Sequence, residues 1–116
     1  MNLLLMVDGV PIPASLYDNV PARDLAKLLP LELTLDDYAS AEKIADLPRQ
    51  LDTTGAPAGF KPSEGDITYY APWGNLAIFY RDQPFAQGLV SLGRIESGIQ
   101  TLKAGGKRTA TIEAIE

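Results

Sequence analysis

The stretch Gly65–Asp82 constrains the fold most strongly, because its two β-prone runs are apolar on both faces. The runs are Asp66–Ala71 and Leu76–Arg81, and the turn sequence Pro-Trp-Gly-Asn at residues 72–75 separates them. An antiparallel hairpin with one face in water would carry polar residues on that face. We therefore predict a hairpin that is covered on both sides, at the centre of a small β-barrel or closed sheet.

The composition bounds the number of domains and excludes several kinds of chemistry. A chain of 116 residues, of which 46% are hydrophobic, suits one domain, which we place at residues 1–116. With no cysteine and no histidine, the chain lacks disulfides, thiolate nucleophiles, Cys/His zinc sites and imidazole catalysis. A net charge of -5 argues against nucleic-acid and anionic-membrane partners. We expect no metal site and no cofactor.

The apolar run near the N-terminus does not indicate export. Leu3–Val7 is too short for the apolar region of a secretory signal, and no cationic segment precedes it. No other stretch approaches the length of a membrane span. The expected location is the cytoplasm, unless a signal segment has been trimmed from the sequence.

Turn signals and periodicity predict seven or eight strands and one short helix. An Asp-Gly pair at residues 8–9 is a hairpin signal, and Pro11 and Pro13 predict that the next strand begins at an edge. Residues 18–19 are a candidate cap for an amphipathic helix of about three turns that ends before Pro30. The expected strands are 3–7, 10–17, 31–36, 43–47, 66–71, 76–81, 88–95 and 108–115, with a helical turn near 96–102 and a long loop over Pro48–Glu64. This count favours a closed barrel over an open sheet with bare edges.

Several motifs carry a resemblance to a known family. They are L-Y-D-N at Leu16–Asn19, A-R-D-L-A-K-L-L-P at 22–30, L-x-L-T-L-D-D-Y-A at Leu31–Ala39, E-K-I-A-x-L-P-R at Glu42–Arg49, G-A-P-A-G-F at Gly55–Phe60, the central hairpin, and G-L-V-x-L-G-R-I-x-S-G at Gly88–Gly98. On these motifs the chain resembles the bacterial cyclophilin-like domain family, small proteins of unsettled activity. The resemblance covers nearly the full length. It implies an all-β fold, a cyclophilin-like closed β-barrel with one short helix.

The resemblance also implies two candidate functions. Prolyl isomerisation crosses a barrier of roughly 18–20 kcal/mol by breaking amide resonance, so an apolar pocket and one guanidinium would serve without proton transfer. True cyclophilins carry this arginine in an F-H-R motif, whose nearest match is L-P-R ending at Arg49. The glutamine of their G-S-Q-F-F motif is missing from Gly74–Phe79. The other candidate is an interaction module for a flavodoxin-like redox protein.

We rank a binding module above both, with a small molecule or peptide held at the barrel mouth. The pocket is expected between the loop over residues 48–64 and the central hairpin. The predicted site residues are Arg49, Phe60, Tyr70, Trp73 and Tyr80. Arg49 either anchors an anionic or carbonyl group of the ligand or holds the loop through backbone carbonyls. Trp73 is either a stacking platform or a lid on the barrel, and tyrosines in such strands are more often core residues.

Overall fold

A computed structural model describes residues 1–115 and shows a closed antiparallel barrel. The strands are β1 (Asn2–Val7), β2 (Val10–Leu16), β3 (Leu31–Tyr38), β4 (Glu42–Asp46), β5 (Gly59–Phe60), β6 (Asp66–Tyr70), β7 (Asn75–Phe79), β8 (Ala86–Gln87), β9 (Leu89–Ile95) and β10 (Arg108–Ile115), and the helices are α1 (Val20–Ala26) and α2 (Ile99–Lys103). Around the barrel the strand order is β1-β10-β3-β4-β7-β6-β9-β2. Strands β5 and β8 pair with each other outside the barrel. The predicted all-β closed barrel is confirmed.

Alternation of inward and outward side chains builds the barrel core. On the hairpin of β6 and β7, the inward residues Ile67, Tyr69, Leu76 and Ile78 are at most 2% exposed. The same period of two brings Leu3 and Leu5 of β1 and Leu31, Leu33 and Leu35 of β3 into this core. Apolar residues at alternate positions therefore make up most of the interior, and Lys43 of β4 is a charged exception.

The outward face of the same hairpin is buried as well, because β5 and β8 contribute apolar cover. Ala77 and Phe79 of β7 are buried and form a second cluster with Leu89, against which Phe60 and Ala86 pack. All five residues of β7 are buried. The prediction that the central hairpin is covered on both sides is confirmed.

The short strands β5 and β8 lie inside segments that the sequence predicts as loops. Two-residue strands carry no periodicity, so no pattern could reveal them. Their pairing depends on a close approach at Gly59, where an added Cβ would lie 2.5 Å from both the Ala86 carbonyl oxygen and the Phe85 ring. Only glycine allows this approach without displacing the neighbouring backbone.

The helices differ in part from the prediction. Asn19 caps α1, since its side-chain Oδ1 accepts a hydrogen bond from the Ala22 amide at 2.8 Å. The helix has 7 residues, which is two turns instead of about three. The predicted helical turn after β9 is the second short helix, α2, so the barrel carries two helices where one was expected.

The prolines of β2 lie where the sequence predicts an edge. Strand β2 pairs with β1 over Val10–Ser15 but with β9 only over Ala14–Leu16. Pro11 and Pro13 therefore precede the stretch in which β2 needs hydrogen-bond donors on both sides.

Candidate functional site

One hollow lies against the start of β9, and we call it the helix-side hollow. Its volume is about 540 Å³, and it is bounded by the start of α1, the loop over residues 48–64 and β9. Its lining residues are Asn19, Val20, Pro21, Arg23, Thr54, Gly55, Ala56, Pro57, Gly59, Phe60, Leu89, Val90 and Ser91. Most of these are apolar. The Asn19 amide fixes one wall to another, because its Nδ2 donates to the Ser91 carbonyl oxygen at 3.2 Å.

A second hollow, which we call the aromatic hollow, lies on the outer face of the barrel and has a volume of about 200 Å³. Its lining residues are Tyr38, Glu42, Tyr70, Trp73, Phe79, Ala86 and Leu89. The Trp73 ring centroid lies 5.2 Å from that of Tyr38 and 5.3 Å from that of Tyr70, and both tyrosine rings stand at 83° to the indole. Trp73 is 54% exposed and Tyr38 is 44% exposed, so two of the three rings face solvent.

Glu42 is the charged residue of the aromatic hollow. The strand register places it directly opposite Tyr38 of β3 on one side and Phe79 of β7 on the other. Directly opposite residues point to the same face of a sheet, which explains why a carboxyl group lies among aromatic rings. Burial raises the pKa of Glu42 from 4.5 to about 7. Within residues 1–115, no hydrogen-bond donor or cationic side chain pairs with this carboxyl group.

Lys43, the next residue along β4, points into the barrel and is fully buried. Its Nζ donates to Asp37 Oδ1 at 2.8 Å, to the Ala104 carbonyl at 3.0 Å and to the Gly106 carbonyl at 2.8 Å. The Tyr80 hydroxyl donates to the same Asp37 oxygen at 2.9 Å. The hydrogen bond from Lys43 is the main cause that lowers the pKa of Asp37. This network joins β3 and β4 to the turn before β10.

Arg49 joins the loop over residues 48–64 to α1. Its Nη1 and Nη2 donate to the two carboxylate oxygens of Asp24 at 2.7 and 2.9 Å, and Nη1 also donates to the Gln50 carbonyl at 3.1 Å. The Asp52 amide donates to Asp24 as well, at 2.7 Å. These hydrogen bonds, that from Arg49 first, hold the pKa of Asp24 well below its usual range. The arginine therefore fixes the beginning of the loop, and it lines neither hollow.

The structure does not bring the five predicted site residues to one place. Phe60 lines the helix-side hollow, whereas Tyr70 and Trp73 line the aromatic hollow. The Tyr80 side chain is buried and bonded to Asp37, where burial and this hydrogen bond raise the pKa of its phenol. Arg49 is bonded to α1.

The predicted site residues include neither Tyr38 nor Glu42. The two residues are brought together by the turn between β3 and β4, in which Ala39 and Ser40 have φ values of 54° and 51°. Hairpin turns with two positive φ values usually contain Asn-Gly or Asp-Gly, which makes them recognisable in a sequence. Because neither residue of this turn is glycine, the sequence carried no signal for the register that pairs Tyr38 with Glu42.

Comparison with known proteins decides the family. A family model described as the Cyclophilin-like family matches residues 5–113. The chain belongs to the Cyclophilin-like family. Its barrel is similar to the solution structure of the hypothetical protein AF2241 from Archaeoglobus fulgidus, with a TM-score of 0.71, 17% identity, and coverage of 97% of this chain and 93% of that chain. At this identity the likeness shows the fold alone. No curated protein matches the chain.

Across residues 1–115, no group of three or more histidine, cysteine, aspartate or glutamate side chains is arranged to hold a metal ion. None of the helices that the structure describes is long and apolar enough to cross a membrane.

Proposed function

We propose that this cyclophilin-like domain is a binding module that holds a small molecule or a short peptide in the helix-side hollow. The observation that carries the proposal is the hollow itself, about 540 Å³ of space with a mostly apolar lining. Sites for small ligands are typically clefts of about 300–1,000 Å³, lined by apolar side chains and a few polar groups. The hollow fits both parts of that description.

Fixed contacts on two sides support a hollow that exists before the ligand arrives. Asn19 bonds α1 to β9, and the Arg49–Asp24 pair bonds the loop to α1. Walls held by hydrogen bonds lower the ordering cost of binding. Arg49 thus serves the site as a support of its wall.

The lining indicates a ligand with an apolar body and a small polar group. Phe60, Val20 and Leu89 provide apolar surface, and Ser91 and Arg23 are polar lining residues. One terminal nitrogen of Arg23 donates to Asp18, which leaves its other terminal nitrogen for a ligand. An arginine suits a carboxylate or carbonyl acceptor, and a hydroxyl both donates and accepts. Such a ligand could be a small organic acid or an apolar peptide segment.

Filling the hollow tests the proposal. In Ser91→Phe, a phenyl ring from β9 should occupy the space, while Thr109→Phe places the same ring on an exposed position of β10 that lines neither hollow. A set of small carboxylates and proline-containing tetrapeptides is titrated against labelled protein, and amide chemical shifts are followed. We expect saturable shifts over residues 54–60 and 89–91 that are lost in S91F and kept in T109F. Shifts that persist unchanged in S91F, or that cluster elsewhere, would refute the proposal.

The remaining hypotheses stay predictions. A divergent isomerase would need a free guanidinium, but both terminal nitrogens of Arg49 donate to Asp24. A protease-coupled assay with a prolyl peptide would revive this hypothesis if a rate enhancement vanished in Arg49→Ala. The flavodoxin-like partner and the cytoplasmic location are not supported by any contact of the described residues.

A further inference from the structure

We propose that the aromatic hollow is a second binding site, specific for a small organic cation that carries a methylated ammonium group. The cation would lie against Tyr38, Tyr70 and Trp73, and Glu42 would neutralise its charge. The proposal concerns a different hollow and a different ligand chemistry from the binding function proposed above, and it does not rest on that function. Leu89 is the residue that lines both hollows.

The ring geometry suits a cation. Three aromatic side chains line one hollow, and the two tyrosine rings lie almost perpendicular to the indole. The faces of aromatic rings carry negative partial charge and attract cations within about 6 Å of the ring centroid, with tryptophan the most effective. Cages of this kind recognise quaternary ammonium groups, whose methyl groups contact several ring faces at once.

The charge of the site matches the same ligand. Glu42 is half-buried in the hollow and has no partner among the described residues, although desolvated carboxylates are normally paired or bonded. The neighbouring residue on β4 differs in this respect, because the Lys43 ammonium group is paired with Asp37. A bound cation would provide the missing counter-charge for Glu42. The net charge of -5 also favours the approach of cations over anions.

The size of the hollow points to a small group. Its volume of about 200 Å³ lies below the range of about 300–1,000 Å³ that is usual for drug-sized ligands. A further hollow of about 290 Å³ shares Tyr38, Glu42, Phe79 and Ala86 with it and adds Phe85. The two hollows meet at Glu42, so the ammonium group would lie among the rings and the rest of a short molecule beside Phe85.

Trp73 allows a direct test, because it is the only tryptophan of the chain. Choline and tetramethylammonium are titrated into the full chain at about pH 8.5, where the Glu42 carboxyl group is ionised, and indole fluorescence is followed. The matched control ligand is the neutral isostere of choline, in which a tert-butyl group replaces the trimethylammonium group. We expect a saturable change with choline, and binding of the neutral isostere weaker by about tenfold or more.

Variants with matched controls locate the site. Glu42→Gln removes the charge and Tyr38→Leu removes one ring, and each is expected to weaken choline binding by about tenfold. The controls are Glu113→Gln and Tyr17→Leu, which should bind choline like the parent chain. Tyr17 and Tyr38 are both 44% exposed, so the two tyrosine variants differ in location and not in burial.

Each other outcome overturns the proposal. Equal affinity for choline and its neutral isostere would show an apolar hollow without cation selectivity. Unchanged binding in both E42Q and Y38L would place the cation elsewhere, and no saturable change into the tens of millimolar would remove the site. A peptide containing trimethyl-lysine is titrated in parallel. Saturation by this peptide but not by choline would replace the small cation with a methylated protein as the ligand.

Discussion

Two adjacent residues of β4 place opposite charges in opposite environments. Lys43 points into the barrel, where its ammonium group has three oxygen acceptors, on Asp37, Ala104 and Gly106. Glu42 points outward among aromatic rings and has no partner among the described residues. An ammonium group has three donors, so Lys43 is fully satisfied. We infer from the difference that the Lys43 network serves stability, whereas the unsatisfied carboxyl group marks a place that a ligand completes.

Replacing Lys43 should have the largest effect on stability. In Lys43→Met, the stem of the side chain is kept, but Asp37 and two carbonyl groups lose a buried donor. Lys43 is fully buried but the Asp37 side chain is 29% exposed, so we expect a loss of about 2–3 kcal/mol in urea unfolding at pH 7, below the cost of breaking a fully buried pair. The matched control is Lys61→Met at an exposed position, expected within about 0.5 kcal/mol of the parent.

A double variant separates the lost charge from the lost packing. When Lys43→Met is combined with Asp37→Asn, no charge is left unpaired, and part of the stability should return. If the free energy of unfolding of Lys43→Met lay within about 1 kcal/mol of the parent value, the stabilising role of this network would be contradicted.

Replacing Glu42 should have a smaller effect, of the opposite sign and dependent on pH. Burial raises the pKa of Glu42 in the folded chain to about 7, from 4.5. The folded state therefore binds this proton more tightly than the unfolded chain. The resulting stabilisation is complete below about pH 4.5 and is lost as the pH rises through about 7. In Glu42→Gln this loss should disappear, leaving the variant more stable than the parent at pH 8 by about 1–2 kcal/mol, allowing for partial exposure.

Unfolding curves at several pH values check this prediction. The same pH series on Glu113→Gln, an exposed position of β10, should follow the parent chain. The pKa of Asp37 is lowered, so its stabilisation is present above 3.8 and is lost in acid in all three proteins. The opposite result would be that the free energies of unfolding of the parent chain and of E42Q change in parallel between pH 5 and pH 8. That result would show that Glu42 is solvated in the folded protein, contrary to the contrast with Lys43.

Replacing Tyr80 should have the smallest effect. Tyr80→Phe removes one hydrogen bond to Asp37 while Lys43 still holds that carboxylate, so we expect a loss of about 0.5–1.5 kcal/mol. Tyr17→Phe is the control at an exposed position. Choline is also titrated into both variants. Choline binding that is weaker in Y80F but not in Y17F would show that Tyr80 contributes to ligand binding, as the sequence predicted.

Periodicity predicted the barrel well because it reports burial directly. Leu3 and Leu5 of β1, the leucines of β3 and the inward residues of the β6–β7 hairpin follow a period of two. Strand β10 was predicted with the bounds that the structure shows. The two-residue strands β5 and β8 are too short to show such a pattern. They nevertheless cover the outer face of the hairpin, which explains why that face is apolar.

The candidate sites depend on contacts between distant residues, which a pattern does not report. Arg49 was predicted either to anchor a ligand or to hold the loop, and the partner that positions it, Asp24, lies 25 residues earlier in the chain. Trp73 and Tyr70 were predicted together because they are neighbours in one hairpin. Tyr38 joined them only through the pairing of β3 with β4 and of β4 with β7.

Alternation along the strands is enough to predict a closed β-barrel, because it decides which side chains leave water. The composition excludes thiolate and imidazole chemistry, since no cysteine or histidine is present. The pairing of charges, in contrast, follows from the folded arrangement. Lys43 and Glu42 are neighbours in the sequence, yet barrel closure gives one three acceptors and the other a wall of aromatic rings, because successive residues of a strand face opposite sides of the sheet.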